Sequence, residues 1–223
     1  MSKKLSVVIP VYNAEKYIKE AVNSVLSKGW DGDIEIIVID DGSTDRSCEI
    51  AESLGCKVLH QDRQRAANAR NKGIKEATGD LIFMLDADDI SAPGSLLKLY
   101  APFEADDSVA ASFGKTVDFY SPDMPEEEQK KIKIRTEPYS GILPGASLIA
   151  RSVFEKVGLF DPSMTSGETV DWMVRLRSSG MKTVQIEDTV LKRRIHMTNT
   201  GRTDRREEMK NYAALLRKRM GNK

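Results

Sequence analysis

The run Asp86-Ala87-Asp88-Asp89 directly follows the apolar stretch Leu81 to Leu85. Carboxylates two residues apart at a strand end can point at one hard cation. Mg²⁺ or Mn²⁺ held by one or two carboxylates, with phosphate oxygens completing the shell, is the usual arrangement for phosphate substrates. An acidic turn or a helix cap would use the same residues. A second acidic turn, Asp40-Asp41-Gly42-Ser43-Thr44-Asp45, follows another apolar run. Gly42 permits a tight turn there, and Ser43 or Thr44 can cap the next helix. A carboxylate in this turn can accept from a nucleobase N–H or a ribose hydroxyl. A plain strand-turn-helix junction is the alternative for either turn alone, but two acidic turns ending neighbouring strands favour a shared site.

The elements that must position these turns are legible as an alternation. Leu5–Val11, Ile34–Asp40, Lys57–His60 and Leu81–Leu85 are short apolar runs rich in β-branched residues and read as strands. Between them, Tyr17, Ile18, Ala21, Val22, Val25 and Leu26 keep helical spacing, with Asn13 as the expected N-cap and Gly29 as the stop. Helices are also expected over about 45–54 and 66–77. Strand-helix alternation implies a parallel sheet with helical cover, and such sheets bind ligands at the carboxyl ends of their strands. The second half is less regular. It predicts a helix near 93–103, a strand over 109–120, a helix over 168–179 and one or two strands in 183–195. The charged, proline-containing stretch 121–138 reads as a mobile loop or insert over the site. Met209, Tyr212, Ala213, Leu216 and Met220 mark a basic C-terminal helix. The expected division is one domain over 1–200 and a helical extension over 201–223.

Composition excludes several classes. Forty per cent apolar residues among 223 exclude a wholly disordered chain. No window approaches 18 consecutive apolar residues, so no membrane span is expected, and the run Leu5–Val11 is too short for a signal peptide. Two cysteines, Cys48 and Cys56, make no disulfide framework, which favours a cytoplasmic setting. The 34 basic and 34 acidic residues balance, but unevenly along the chain. Residues 192–223 hold 11 Lys and Arg against 3 Asp and Glu, leaving an acidic body. No G-x-G-x-x-G follows the first strand, there is no P-loop motif, and Ser43 is not in a G-x-S-x-G elbow. A dinucleotide dehydrogenase, a P-loop NTPase and an α/β-hydrolase are therefore disfavoured.

Four segments in order carry a resemblance: Val8-Ile9-Pro10-Val11-Tyr12-Asn13, Val38 to Asp45, Ala69-Arg70-Asn71-Lys72-Gly73 and Phe83 to Asp89. With Gly145 to Arg151, Phe154 to Asp161, Gly167-Glu168, Asp171-Trp172 and Arg194-Ile195-His196, the chain resembles the inverting family 2 glycosyltransferases over about residues 5–200. The resemblance implies a GT-A-like α/β fold, a mixed, mostly parallel sheet flanked by helices. It implies transfer of a sugar from a nucleotide-sugar, usually UDP-linked, to an acceptor hydroxyl, in bacterial surface-polysaccharide or glycolipid assembly. By the same resemblance, Pro10, Tyr12 and Glu15 border the nucleotide, Asp41 with Asp40 contacts the base, and Arg70 faces the nucleotide. Asp86 lies near the ribose or metal, Asp88 holds Mn²⁺ or Mg²⁺ on the diphosphate, and His196 reaches the metal or diphosphate.

Inversion needs a general base for the acceptor hydroxyl. The family takes it from a Glu-Asp pair opening a late helix; here the pair reads Glu168-Thr169, with Asp171 three residues on. Glu168 or Asp171 is the expected base, and both also suit a helix N-terminus as acids favoured by its dipole. Arg63 and Arg65 stand where the family commonly has Asn and Gly; they add phosphate contacts, reshape the loop or lie on the surface. Arg193 and Arg194 are phosphate contacts or solvated. Trp172 stacks on an acceptor sugar or packs in the core. His60 is expected to be structural. The basic C-terminal helix packs on its own domain, pairs with a second copy as a homodimer, or lies on the inner membrane face near a lipid-linked acceptor. Otherwise the acceptor is a carbohydrate; nucleic acid is not an expected partner. Thr169 keeps open a catalytically silent nucleotide-sugar-binding or partner module. A nucleotidyltransferase with a similar acidic metal site is the other rival.

Overall fold

The computed structural model describes residues 3–26 and 30–199. Eight strands form one sheet: β1 (Leu5–Val11), β2 (Ile34–Asp40), β3 (Lys57–His60), β4 (Leu81–Met84), β5 (Ile90–Ser91), β6 (Val109–Tyr120), β7 (Ser147–Ala150) and β8 (Lys182–Ile195). Their order is β3-β2-β1-β4-β7-β6-β8-β5. The half from β3 to β4 is parallel, β7 runs antiparallel to β4 and β6, β8 returns parallel to β6, and β5 is antiparallel to β8. The sheet is thus mixed, as expected. The described residues also form seven α-helices: α1 (Ile18–Leu26), α2 (Ser47–Ser53), α3 (Arg65–Glu76), α4 (Ser95–Ala105), α5 (Glu126–Gln129), α6 (Arg151–Val157) and α7 (Glu168–Ser178).

The central strands are continuous apolar runs because both of their faces are covered. Side chains alternate across the sheet. Leu5, Val7, Ile9 and Val11 of β1 therefore enter the core under α1 and α4, and Val8 enters the opposite core with Ile37, Ile39, Ile82 and Met84, under α3 and α7. Helix α3 comes closest to the sheet at Gly73, where a Cβ would lie 2.3 Å from Val8 Cγ1. That approach is what brings Arg70 and Asn71, one turn earlier, to the strand ends.

Several expectations need correction. Asn13 does not cap α1: it adopts a left-handed backbone (φ 49°), and α1 begins at Ile18. Helix α4 starts at Ser95, after Gly94 in a left-handed conformation, rather than at Pro93. Helix α6 was not anticipated as a separate element. The stretch 121–138 is tied down: it contains α5, and Met124 is 3% exposed. Its Arg135 carbonyl accepts from Asp118 N while Arg135 N donates to the Asp118 carboxylate, Tyr139 pairs with Thr116 beyond it, and the Tyr120 hydroxyl donates to the carbonyls of Gln129 and Ile132. The expected stop at Gly29 and the basic helix over 201–223, with its membrane and homodimer readings, lie outside the described residues. Among the described residues no helix is long and apolar enough to cross a membrane.

Two measurements follow from this packing. A Gly73→Ala change gains about 1 kcal/mol of helix propensity, but forces a methyl into Val8, which is fully buried between two layers; overpacking of this kind costs about 1–3 kcal/mol. The expected outcome is net loss of stability in urea unfolding; an increase would show that β1 and α3 can separate cheaply. Glu35 accepts from the Ser6 hydroxyl and from the backbone and hydroxyl of Thr78. Burial works to raise its pKa, but these hydrogen bonds prevail and hold it below its ordinary value of 4.5. Its stabilising contribution is therefore full above pH 4.5 and is lost as pH falls through the lowered folded value. Glu35→Gln should make stability flatter than wild type across that acid range; equal slopes would remove Glu35 from the account.

Candidate active site

The carboxyl ends of β1, β2 and β4 open together because the strands are parallel and in register, Val11 beside Asp40 and Val8 beside Met84. A cleft of about 430 Å³ lies at these ends, lined among others by Pro10, Tyr12, Asp41, Arg70, Asp86, Asp88 and His196. That size is typical of small-molecule sites. Seven of the residues expected to act on a ligand thus converge on one cleft. Glu15, Asp40, Glu168 and Asp171 are not part of its lining.

The loops after β1 and β2 are stitched by side chains. Asn13 Oδ1 accepts from Thr44 N at 2.8 Å and Asn13 N donates to Ser43 Oγ at 3.0 Å. Ala14 N donates to Ser47 Oγ, and Glu15 N to Asp45 Oδ2. The Glu15 carboxylate accepts from Arg46 N and so fastens the neighbouring loop. Asp40 is similarly engaged. Its Oδ1 accepts from Ser43 N at 2.9 Å, and its Oδ2 lies 3.0 Å from His60 Nδ1. Burial pushes the Asp40 carboxyl up, but hydrogen bonds from Ser43 and His60 outweigh it and hold its pKa below the ordinary value. His60 therefore has the structural contact expected of it.

Asp41 does line the cleft, and it also holds the segment opposite. Its carboxylate accepts from Gln61 Nε2, Gln64 N and Arg65 N at 2.7–2.8 Å. This clamp accompanies a left-handed backbone at Arg65 (φ 70°), an unusual conformation for a side chain of that size. Arg63 stacks its guanidinium 3.6 Å from the Tyr12 ring centroid. Both arginines are exposed, as one expectation had it, and both also line the cleft.

At the other end, Arg70 is 5% exposed and lies between two carboxylates. Its Nη2 donates to Asp86 Oδ1 at 2.7 Å and its Nη1 to Glu168 Oε1 at 2.9 Å. Burial alone would lower its pKa; the two carboxylates reverse that and raise it. Asp88 Oδ2 lies 2.8 Å from His196 Nε2, with Asn199 Nδ2 at 3.4 Å. The His196 ring packs on Tyr17, centroids 4.8 Å apart. Asp89 points inward and accepts from Arg194 N. Burial, then the neighbouring charges of Asp88 and Asp86, push its carboxyl well above the ordinary range. Arg194 donates to the Asp88 carbonyl and pairs with Glu20, and its side chain is buried, so it is not solvated. Two carboxylates and an imidazole thus line one rim, and their oxygen and nitrogen donors suit a divalent cation such as Mn²⁺ or Mg²⁺.

The two acids of α7 separate. Glu168 reaches Arg70, whereas Asp171 pairs with Arg175 one turn on, at 2.8 Å. Arg175 in turn donates to the carbonyls of Val157 and Leu159. Asp171 therefore orients an arginine that clamps the α6–α7 connection. Trp172 is core: it is 1% exposed, donates to the Gly158 carbonyl and packs on Phe154 and Phe160. Two contributions escaped the sequence reading. Asn71 exchanges two hydrogen bonds with the backbone of Phe160, fastening α3 to the segment before α7. Tyr17 lines the cleft although its spacing marked it only as part of a helix face.

Comparisons with known proteins agree with this geometry. Residues 6–158 match the family model described as Glycosyl transferase family 2. The glycosyltransferase GlyG of Streptococcus pneumoniae is 40% identical over 114 residues, 48% of this chain and 38% of that protein. An uncharacterized glycosyltransferase of Rickettsia typhi is 30% identical over 96% of this chain and 70% of its own. Among solved structures, S. aureus TarS 1-349 in complex with UDP-GlcNAc superposes with a TM-score of 0.71 at 22% identity, over 88% of this chain and 60% of that one. The mannosyltransferase PcManGT from Pyrobaculum calidifontis, in complex with GDP-Man and Mn²⁺, gives 0.71 at 16% identity, over 97% and 65%. The chain therefore spans well under half of the pneumococcal relative and less than two thirds of these two solved chains.

The Asp171–Arg175 clamp makes a prediction. Asp171→Asn should lower stability by about 1–3 kcal/mol, the cost of weakening a charge-assisted hydrogen bond in a partly buried network. Urea unfolding measures it. Unchanged stability together with abolished turnover would instead put Asp171 in the chemistry.

Proposed function

From its membership of glycosyl transferase family 2, to which this chain belongs, we propose that it transfers a sugar from a nucleotide-sugar, UDP-linked, to an acceptor hydroxyl with inversion. The observation that carries this reading is the cleft itself, with Asp41 and Tyr12 at one end, Asp86, Asp88 and His196 at the other, and Glu168 linked to it through Arg70. The nucleotide-sugars bound by TarS and PcManGT support the donor class, and the Mn²⁺ of the latter supports a divalent ion. The acceptor is a carbohydrate or a lipid-linked sugar.

In this reading the base lies against Tyr12 and Pro10, within reach of Asp41, whose carboxylate can accept an N–H of the base. Asp88, with Asp86 and His196, would hold Mn²⁺ or Mg²⁺, which supplies charge neutralisation to the leaving diphosphate. Asn199 Nδ2 lies 3.4 Å from the same Asp88 oxygen that faces His196, and orients that carboxylate. Glu168 takes the proton of the acceptor hydroxyl. As that oxygen bonds to the anomeric carbon, the carbon–oxygen bond to the diphosphate breaks and the nucleoside diphosphate leaves. Arg70 fixes the Glu168 carboxylate relative to Asp86. Glu168 is preferred to Asp171 because Glu168 bonds to Arg70, which lines the cleft, whereas Asp171 pairs with Arg175. Thr169, standing where an acid is usual, is a hydroxyl with no basic lone pair of comparable strength.

The test is release of nucleoside diphosphate and binding across a panel of nucleotide-sugars with Mn²⁺. Asp88→Ala should lower turnover at least a hundredfold. Glu168→Gln should lower kcat by about 10²–10⁴, the span ascribed to general-base catalysis, with donor affinity within a few-fold of wild type. Failure to bind any nucleotide-sugar, with or without metal, would overturn the donor site. Binding without turnover, across many acceptors and in wild type as in Glu168→Gln, would assign the chain to a silent binding module.

A further inference from the structure

A second constellation lies behind the acidic turn of β2. Asp40, Cys48 and His60 each present one possible ligand atom, and the three atoms lie within 4.8 Å of one another. We propose that Asp40 Oδ2, Cys48 Sγ and His60 Nδ1 form a site for a borderline-soft transition metal of the Zn²⁺ class, distinct from the Asp86/Asp88/His196 rim.

The backbone sets two of the ligands. Asp40 and His60 are in-register partners on the parallel strands β2 and β3, so their side chains leave the sheet on the same face. Their ligand atoms are 3.0 Å apart. Tetrahedral Zn²⁺, with bonds of about 2.0–2.2 Å to nitrogen and oxygen, separates two such ligands by about 3.3–3.5 Å. The pair is therefore spaced for one ion with a shift of a few tenths of an ångström. The third ligand comes from the first turn of α2. A sulfur must approach to about 3.5 Å from the other two atoms, so Cys48 has at most about 1.3 Å to close from the 4.8 Å bound.

The surroundings suit a metal as well. Asp40 is buried and its other oxygen, Oδ1, is held by Ser43 N, the kind of outer contact that aims a metal-binding carboxylate. The His60 side chain is 63% exposed, which leaves an entry path and a fourth position for water. The thiolate decides the metal: sulfur beside an imidazole and one carboxylate selects Zn²⁺ over the harder Mg²⁺ or Mn²⁺. Binding replaces the thiol proton of Cys48, released to solvent, with the metal–sulfur bond. Two of the ligands are carried on strands, the more exact kind of scaffold for such a site.

Chelator-treated full-length protein titrated with Co²⁺ tests this, because a cobalt–thiolate bond gives a charge-transfer band that Zn²⁺ then removes. The expected result is one Co²⁺ per chain with that band, lost in Cys48→Ser, at least tenfold weaker in His60→Gln and retained in Asp88→Ala. The exposed His60 can be replaced without disturbing the core, so it keeps the test open if Cys48→Ser folds poorly. Absence of the band in wild type, or Zn²⁺ affinity within twofold of wild type in His60→Gln, would overturn the proposal. So would Zn²⁺ binding that disappears only in Asp88→Ala, which would place the ion in the cleft.

Discussion

Arg70 is a guanidinium almost wholly removed from water, and it is sustained by carboxylates on two sides. Desolvating such a charge costs several kcal/mol, so its position is tolerable only while both Asp86 and Glu168 face it. The ion triplet therefore constrains three elements at once: α3, the turn after β4 and the start of α7. Gly73 lets α3 press onto β1, Arg70 reads out the result at the strand ends, and Asn71 fastens the far side to Phe160. The cleft and a distant helix are thereby held in one relation. Arg70 Nε is buried without a hydrogen-bond partner among the described residues, a further sign that the guanidinium is placed for its two carboxylates.

The acidic residues divide into those that face the cleft and those that build it. Asp40, Asp45, Glu15 and Asp171 spend their oxygens on backbone N–H groups or on neighbouring side chains. Loops at strand ends leave backbone donors unpaired, and a short carboxylate is well suited to satisfy them. Asp86 and Asp88 keep to the rim of the cleft. Asp41 does both, lining the cleft while it holds the β3–α3 connection. An abundance of acid around a site is thus a poor guide to which acids meet a ligand. Hydrogen-bond partners decide it.

The long segment between β6 and β7 shows a similar conversion of polar residues into fastenings. Its charges and prolines suggest mobility when read along the chain. In three dimensions Asp118 and Tyr139 bind it to β6, and Asp123 joins it to Lys16 and Tyr17 beside the cleft.

By itself, the sequence determined the alternation of β1 to β4 with their helices, because continuous apolar runs bounded by acidic turns admit few other readings. It also determined the long strand β6 and the identity of the residues gathered at the strand ends, since Pro10, Tyr12, Asp41, Arg70, Asp86, Asp88 and His196 all reach one cleft. Only the tertiary structure decided what each side chain does there. Glu168 and Asp171 are equivalent along the chain, three residues apart on one helix. They differ because Arg70 arrives from α3 at one and Arg175 follows one turn after the other. Asn13 reads as a helix cap from its neighbours, yet its partner is Thr44, 31 residues away. Trp172 and Asp40 likewise took their roles from groups distant in sequence, Gly158 and His60. Local periodicity records burial, a property each residue carries into any fold. The partner of a polar group depends on which elements pack together, and that is settled by the whole chain.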